Sequence, residues 1–532
     1  MIAFVIAGLS SFACTAIAQP GGILTTLHFT NDYTAGTRDR NGAFMGGTEM
    51  MALAGHKGAL YAAVGYGQDV RGADPETGGQ VLRKTSPLEP WIVDLQFDTT
   101  VLRTECLLPL VFTRDGNGRT LDPPLRLLTA GPSTIYKTGE LPWASIWVRD
   151  DNTDSWEESR ITRRHFGVRS MGVHTDAVTN RQRLFAGLNV GSIFSAVLDT
   201  SYPGLFRWES AAELSGVGRV MSFCVCNGVL YASTSVEDST RPLKGGIYRR
   251  IDGTQPRWEK VFEAPYYTPD TAQSGFIRGL TAVPDPNGGP HQVILAALEY
   301  RGLILRIDPT KNHEVTTELD LIDYFNREWN DSCVSTRGII AAYNRFTPVR
   351  HHETGDTVWM TGVWTQRHGY PNPPYNCSYY VVRSADGGYG WGTVYDYDNP
   401  LPLGTILTGT RDVEPSPFPG DSGRAFYFCG YDGGAGPSHN TAWMFRGVHA
   451  GSAMTVEQAP ESLECALYPN PCTAVLTVYG KPREELAIYD ILGRSMWSGV
   501  GGTPVTLNTT RWSAGTYILA GDAGRHLLFI KH

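Results

Sequence analysis

Six arginines return at one place in a repeating pattern: Arg103, Arg169, Arg219, Arg278, Arg337 and Arg411, usually two residues before an apolar position such as Met171, Met221, Leu280 or Ile339. A guanidinium is a planar fork of five donors that stays charged, which suits it to carboxylate, sulfate or phosphate. If the six converge, the expected ligand is an acidic sugar or the end of an anionic polymer. The competing expectation is bracing, in which each arginine satisfies backbone carbonyls or a neighbouring carboxylate inside its repeat, and regular recurrence favours it. Glycoside hydrolysis through a tyrosine nucleophile would further need a carboxylate to activate that tyrosine and an acid/base aspartate at the same mouth. Tyr343, Glu105, Asp412 and Glu414 stand near the arginines in sequence. No pair among them has a distinctive spacing, so no catalytic residue is assigned.

Other reactive side chains carry less. His351-His352-Glu353, followed by Gly355-Asp356, reads as a hairpin turn, and adjacent histidines on a turn seldom point at one ion. Of nine cysteines, Cys14 lies in the N-terminal apolar segment; the other eight are too sparse to frame a fold of this size. Cys224-Val225-Cys226 has no second pair at ligand spacing and reads as buried thiols. No phosphate-binding loop, nucleophile elbow, H-E-x-x-H or dinucleotide fingerprint occurs in its required context. No metal and no cofactor is implied.

The elements that must position the arginines form a repeat. Between about residue 46 and residue 450 one pattern returns seven times, a period typical of propellers and solenoids. In the fourth copy, Arg219 to Phe223 reads as a first strand, Leu230 to Ser233 as a second, Ile247 to Arg249 as a third and Trp258 to Val261 as a fourth. Second strands elsewhere, such as Leu60 to Ala63 and Leu184 to Gly187, are short apolar runs that suit the middle of a blade covered on both faces. Third strands recur as Val81 to Arg83, Trp147 to Arg149, Leu303 to Arg306, Val381 to Arg383 and Met444 to Arg446. Fourth strands carry Trp91, Trp156, Trp208, Trp258 and Trp391. The seventh copy lacks a good fourth strand, and Ile23 to Phe29 is a spare one that could complete it and cover an open edge. The reading is an all-β β-propeller of seven four-stranded blades, with six or eight left open by long insertions in the fifth and sixth copies. First strands line the central channel of a propeller, and this is where the arginines would meet.

Ser384-Ala385-Asp386-Gly387-Gly388-Tyr389-Gly390-Trp391 resembles the Asp-box, S-x-D-x-G-x-x-W, of sialidase-type and related propellers. Asp252-Gly253 with Trp258 and Asp150 with Trp156 look like degenerate versions. The box is structural: the Asp bonds turn amides, a glycine takes the strained dihedral and the Trp packs. It occurs on enzymes and non-enzymes alike, so it speaks for fold more than for function.

Composition agrees. Gly 60 and Pro 33 in 532 residues, 11% aromatic and 18% charged, suit short strands and tight turns. A net charge of −8 gives no basic footprint for nucleic acid. Met1 to Leu9 is almost wholly apolar, and Ala16-Ile17-Ala18 before Gln19 fits a signal-peptidase site, so residues 1–18 read as a signal peptide. Its first residues lack Lys or Arg, which suggests a start codon upstream, and Ser11-Phe12-Ala13 before Cys14 lacks the leucine-like residue of a lipobox. No later stretch is long and apolar enough to span a membrane.

The propeller is expected over 19–452 and a polar linker over 453–464. The tail, 465–532, changes character. It runs through Tyr468-Pro469-Asn470-Pro471, Leu476-Thr477-Val478, Ile488-Tyr489-Asp490 with Gly493-Arg494, and Trp512-Ser513-Ala514-Gly515-Thr516-Tyr517, ending in Phe529-Ile530-Lys531. That order and spacing resemble the type A C-terminal sorting domain of type IX secretion. The resemblance implies a small antiparallel β-sandwich, a partnership with the type IX machinery and passage across the outer membrane of a Bacteroidota-like bacterium. Removal of the tail, with release or surface anchoring, would follow. Cys465 and Cys472 stand outside the family motif and flank Pro-Asn-Pro, where they could pair. The alternative is a sandwich that binds sugar or spaces the main domain. The chain as a whole reads as an exported, cell-surface or secreted protein with carbohydrate binding as its expected role. A sialidase-like or other carbohydrate-active enzyme is the alternative.

Overall fold

The computed structural model describes residues 27–66, 78–134, 142–163, 167–235, 245–264, 276–299, 302–329, 339–351, 354–365, 378–394, 407–421, 423–432, 440–449, 466–468, 474–479, 485–490, 493–500, 505–521 and 526–531. The chain divides into two compact units, 1–450 and 451–532. Both are built almost wholly of antiparallel strands. One α-helix occurs among the described residues, Leu321–Glu328, capped by Asp320, whose side chain accepts from the Ile322 and Asp323 amides.

The larger unit repeats a four-stranded meander. Its clearest example runs Arg219–Cys226, Val229–Ser235, Gly245–Ile251 and Arg257–Glu263, in that order across the sheet. Ala59–Gly65, a second strand, and Ser192–Leu198, a third, are buried along their whole length, as suits inner strands covered on both faces. The first strands Glu49–His56, Val101–Arg114, Val168–Thr175, Arg219–Cys226 and Ile277–Pro284 adjoin one another in chain order, and Leu407–Pro415 adjoins both Glu49–His56 and Thr357–Trp364 of the sixth sheet. The last sheet is completed from the other end of the unit. Leu27–Thr34 pairs antiparallel with Ala442–His449, burying Phe29 and Tyr33. The spare strand expected over Ile23 to Phe29 therefore lies in part here, while residues 23–26 are outside the described residues.

The Asp-box segment forms the turn between Ser378–Arg383 and Tyr389–Thr393. Asp386 accepts from the Gly388 amide at 3.2 Å and from the Ser384 hydroxyl, and Gly387 takes φ +86°, which a side chain would resist. The Trp391 ring lies 5.7 Å from Phe325 and 5.9 Å from Tyr379.

In the smaller unit, Ala466–Tyr468, Val475–Tyr479 and Val505–Asn508 form one sheet. Ser495–Val500, Glu485–Asp490, Gly515–Gly521 and His526–Lys531 form another. Leu476, Val478, Leu486, Ile488, Tyr517 and Leu519 make their common core. Asp490 shapes the turn expected at Gly493: it accepts from the Arg494 amide at 2.9 Å and from its guanidinium at 2.6 Å, and Gly493 takes φ +79°. Trp512 and Tyr517 stack at 5.2 Å. Pro469, Asn470 and Pro471 lie outside the described residues, as do Cys465, Cys472, Cys333 and Cys377. Cys106, Cys224, Cys226 and Cys429 are free thiols.

Candidate functional site: an arginine cluster around Tyr343

The cluster originates in a backbone irregularity. In several first strands, one residue has no partner on the second strand. Thr410 faces Gly430 and Asp412 faces Cys429, leaving Arg411 over; Val168 faces Leu188 and Ser170 faces Gly187, leaving Arg169 over. Arg278 falls in the same shift, as does Glu105. A bulge of this kind re-aims the side chain it frees. In the sixth sheet the bulge has grown to five residues. Ala341 faces Val363 and Thr347 faces Met360, and the segment 342–346 leaves the strand between them.

That segment reaches across the circle of first strands. Asn344 donates through Nδ2 to the Met51 carbonyl at 3.2 Å, accepts at Oδ1 from Arg169 at 3.2 Å, and its carbonyl accepts from Ser222 Oγ at 3.0 Å. The Phe346 amide donates to Thr281 Oγ1 at 2.7 Å, and Arg345 pairs with Glu414 at 3.1 Å. Five first strands are thus bonded to one short segment. Gly279 permits the approach, since a Cβ there would come within 2.2 Å of the Ala342 carbonyl oxygen. Ala342 itself has φ +46°, a conformation an alanine seldom adopts unforced.

Tyr343 sits on this segment, 6% exposed, with guanidinium carbons over its ring: Arg411 at 4.1 Å, Arg278 at 4.6 Å and Arg169 at 5.0 Å. Three carboxylates hold the cations. Glu49 accepts from Arg103 at 2.7 Å and Arg411 at 2.9 Å; Glu105 accepts from Arg103 at 2.8 Å and stands 3.8 Å from Arg169; Glu299 takes Arg278 through both oxygens at 2.5 and 2.7 Å. Burial pushes Glu105 up, but Arg103 and Arg169 outweigh it and hold the carboxyl at about 2; Glu49, between Arg103 and Arg411, is lowered in the same way. Burial likewise raises Tyr343, and Arg411, Arg278, Arg169 and Arg103 together bring it down to about 8. Among the described residues two buried donors, Nη2 of Arg169 and Nε of Arg411, meet no acceptor, and Oε2 of Glu105, near Arg169, meets no donor.

The structure therefore brings together Arg103, Arg169, Arg278 and Arg411. Arg219 contributes its field to Glu105, and Arg337 lies outside the described residues. The recurrence seen in sequence also proves to be two positions rather than one. Arg169, Arg278 and Arg411 stand in the bulge, whereas Arg103 and Arg219 stand two residues before it, in the place that Glu49 occupies in the first sheet. Sequence reasoning missed Glu49 and Glu299. Glu49 had a legible signal, since the first copy carries no arginine and has a carboxylate where Arg103 and Arg219 stand; Glu299, at the end of a second strand, had none.

Arg103, Arg169, Arg278 and Arg411 are each braced by a carboxylate of their own or a neighbouring copy, as the competing expectation has it, and the arginines closing the third strands brace further. Arg149 reaches Asp94, on the strand Ile92–Gln96, at 2.9 Å, Arg250 reaches Asp176 at 2.9 Å and Glu213 at 2.8 Å, and Arg383 reaches Glu318 at 2.7 Å. At the other side of the segment 342–346 is a second buried group. Asp412 accepts from the Leu53 amide at 3.0 Å and Glu414 from the Gly55 amide at 3.0 Å, with Arg345 the cation beside them. Burial raises both carboxyls, Glu414 to about 7, which Arg345 offsets only in part. His351 is buried in a turn closed by the Gly355 amide on its carbonyl, and His352 and Glu353 lie outside the described residues.

Residues 466–529 match the family model of the secretion system C-terminal sorting domain. No curated protein matches the sequence. Among solved structures, PorZ, described as an essential bacterial surface component of the type-IX secretion system of Porphyromonas gingivalis, is 13% identical over 91% of this chain and 59% of its own, with a TM-score of 0.38. The chain thus spans about three fifths of that protein. The α-L-arabinofuranosidase Arb93A of Fusarium graminearum is 10% identical over 82% of this chain and all of its own, at 0.36. A putative exo-β-1,3-galactanase of Bifidobacterium bifidum is 15% identical over 50% and 87%, at 0.26.

Proposed function

We propose, from a tail that carries a secretion system C-terminal sorting domain, that this is an exported protein which crosses the outer membrane through the type IX machinery. Its larger unit is a seven-bladed β-propeller that binds the acidic group of an extracellular glycan or other polymer. In this reading residues 1–18 are a leader removed on export, 19–452 the propeller and 453–464 a linker. Support for the blades comes from the repeated meanders, the succession of adjoining first strands and the completion of the last sheet by Leu27–Thr34.

The observation that carries the binding role is the gathering of the guanidiniums of Arg103, Arg169, Arg278 and Arg411 around Tyr343, with Nη2 of Arg169 and Nε of Arg411 buried and without an acceptor among the described residues. Buried, charged donors without an acceptor suit an anion. The competing reading, a glycosidase or lyase, needs a carboxyl that can lend a proton beside the arginines. Glu49 and Glu105 are both held ionised, which disfavours it; the one observation in its favour is Glu414, titrating at about 7 on the far side of the segment.

The test is equilibrium binding of the purified chain to uronate-containing and neutral polysaccharides, with released reducing sugar assayed in parallel. Preference for the acidic polymer, lost in an Arg169→Ala, Arg411→Ala double variant, supports the reading. Sugar release at catalytic concentrations would replace it with the enzyme.

A further inference from the structure

The second sheet carries a hairpin that the next two sheets lack. Its strands Val101–Arg114 and Thr120–Thr134 run 14 and 15 residues, against 8 and 7 in each of those sheets. The excess reaches the third sheet and is fastened there. Gln182 Oε1 accepts from the Thr113 amide at 2.7 Å and the Arg114 amide at 3.1 Å, and the Gly116 amide donates to the Leu198 carbonyl at 3.1 Å. A Cβ on Gly116 would lie 2.6 Å from that carbonyl oxygen, so glycine is what allows the contact. Asp115 closes the tip, accepting through Oδ1 from the amides of Asn117 at 2.9 Å and Arg119 at 2.8 Å.

Beneath the overhang lies a cleft of about 570 Å³, within the roughly 300–1,000 Å³ of small-molecule sites. Three sheets line it: Lys57 from a turn of the first, residues between Asp115 and Arg126 from the second, and Val197 to Thr200 with Arg207 from the third. One wall comes from a break in the ladder. Phe112 faces Leu125 and Arg114 faces Thr120, so residues 121–124 stand against Thr113 alone and are free to turn towards the cleft. Pro123 and Pro124 have no amide hydrogen to satisfy, and with Leu121 and Leu125 they make that wall apolar.

Polar groups stand around it with capacity to spare. Arg126 is exposed and has no hydrogen bond or ion pair among the described residues. Arg207, 48% exposed, meets Asp199 through one contact at 3.3 Å, and Lys57 meets Asp151, which is outside the cleft. Asp115 spends only Oδ1 on its turn, and Asn117 and Thr200 add an exposed amide and hydroxyl. We infer that this cleft binds an acidic sugar unit of a glycan, its carboxylate or sulfate on Arg126, its hydroxyls on Asp115, Asn117 and Thr200, and its apolar ring face on Pro123 and Pro124. A guanidinium without a partner suits an oxyanion. A carboxylate, an amide and a hydroxyl together both donate and accept, as sugar hydroxyls require. A simple inorganic anion would leave the prolines unused and meet the Asp115 carboxylate, and an apolar acid would leave the hydroxyl-binding groups unserved. The site shares no residue with the cluster around Tyr343. Arg103 opens the strand whose far end, at Arg114, begins the tip, roughly 35 Å away at the usual rise per residue.

The experiment adds tetragalacturonate to the full chain, with a neutral galactose tetramer and tetraglutamate as comparisons. Affinity is measured by calorimetry for the wild type and Arg126→Gln, and hydrogen exchange of the wild type is followed with and without the uronate. The expected results are slowed exchange over 115–126 and 197–207, an affinity at least tenfold lower for the neutral tetramer and for tetraglutamate, and a similar loss in Arg126→Gln. Slowed exchange confined to 342–346 and the first strands overturns this site and leaves the cluster reading standing. Unchanged affinity in Arg126→Gln overturns the role of that residue and with it the site. Equal binding of tetraglutamate replaces the sugar with an acidic peptide. Failure of the uronate to bind at all overturns both this site and the cluster reading. The exchange measurement uses the wild type alone, so the outcome does not depend on a variant folding.

Discussion

Two buried side chains set opposite pH dependences on stability. Tyr343 has a folded pKa of about 8 against an ordinary 10.0, so its contribution is present above 10, shrinks between 10 and 8, and is absent below 8. Two units correspond to at most about 3 kcal/mol. Denaturant melts of wild type and Tyr343→Phe should therefore diverge as pH rises from 8 to 10 and run parallel below. Glu414 is the reverse case. Its folded pKa, raised from 4.5 to about 7 by burial, favours the folded state below 4.5, and the advantage is lost as pH rises through 7, about 3 kcal/mol in all. Glu414→Gln keeps an oxygen for the Gly55 amide and should flatten the stability profile between those values; an unchanged slope would contradict the assignment. At this scale the sequence was half legible. Arginine recurrence pointed to the centre of the fold, and Tyr343, Glu105 and Glu414 were already among the candidates. Which arginine meets which carboxylate was not, because Glu49 and Glu299 reach the cluster from different sheets, and a pairing across folded sheets leaves no spacing to read.

Among elements, the bulge decides the site and the closing strand secures the unit. Gly279→Ala would drive a methyl to 2.2 Å from the Ala342 carbonyl oxygen, backbone that cannot yield without moving the whole segment 342–346. A loss of roughly 2–4 kcal/mol is expected. The tyrosinate step near pH 8 should shift upward as the arginines part from the ring. Removing residues up to Thr34 would strip Phe29 and Tyr33 from the core and expose the edge of Ala442–His449. Each lost aromatic costs about 1.5–3 kcal/mol, and an open edge invites pairing with another chain, so size-exclusion chromatography should show association together with a lower melting temperature. The strands themselves were legible from apolar runs and the tryptophans that recur beside them. Bulges were not: a residue added to one strand of a pair changes nothing in composition, and it shifted the alignment of Arg103 and Arg219 by two places against Arg169, Arg278 and Arg411.

For the whole molecule, the two units have separate cores, with Leu476, Ile488 and Tyr517 among the residues of the smaller. Deleting 466–532 should leave the melting transition of the larger unit in place and hold the protein inside the outer membrane, which fractionation of cells expressing the deletion would reveal. Display of the truncated chain at the cell surface would remove the type IX assignment. The tail was the most legible part of the chain because its motifs are contiguous and turn-forming, as the Asp490 to Arg494 turn shows.

One consequence follows from the five residues that leave the sixth sheet. They are tied to Met51, Arg169, Ser222, Thr281 and Glu414 at once. In the proposed propeller such a segment would lie across the central channel, with the arginines at one side and Asp412 and Glu414 at the other. An acidic polymer would then meet the arginines by a terminus or a side group, and its isolated acidic end unit should compete with the long chain one for one.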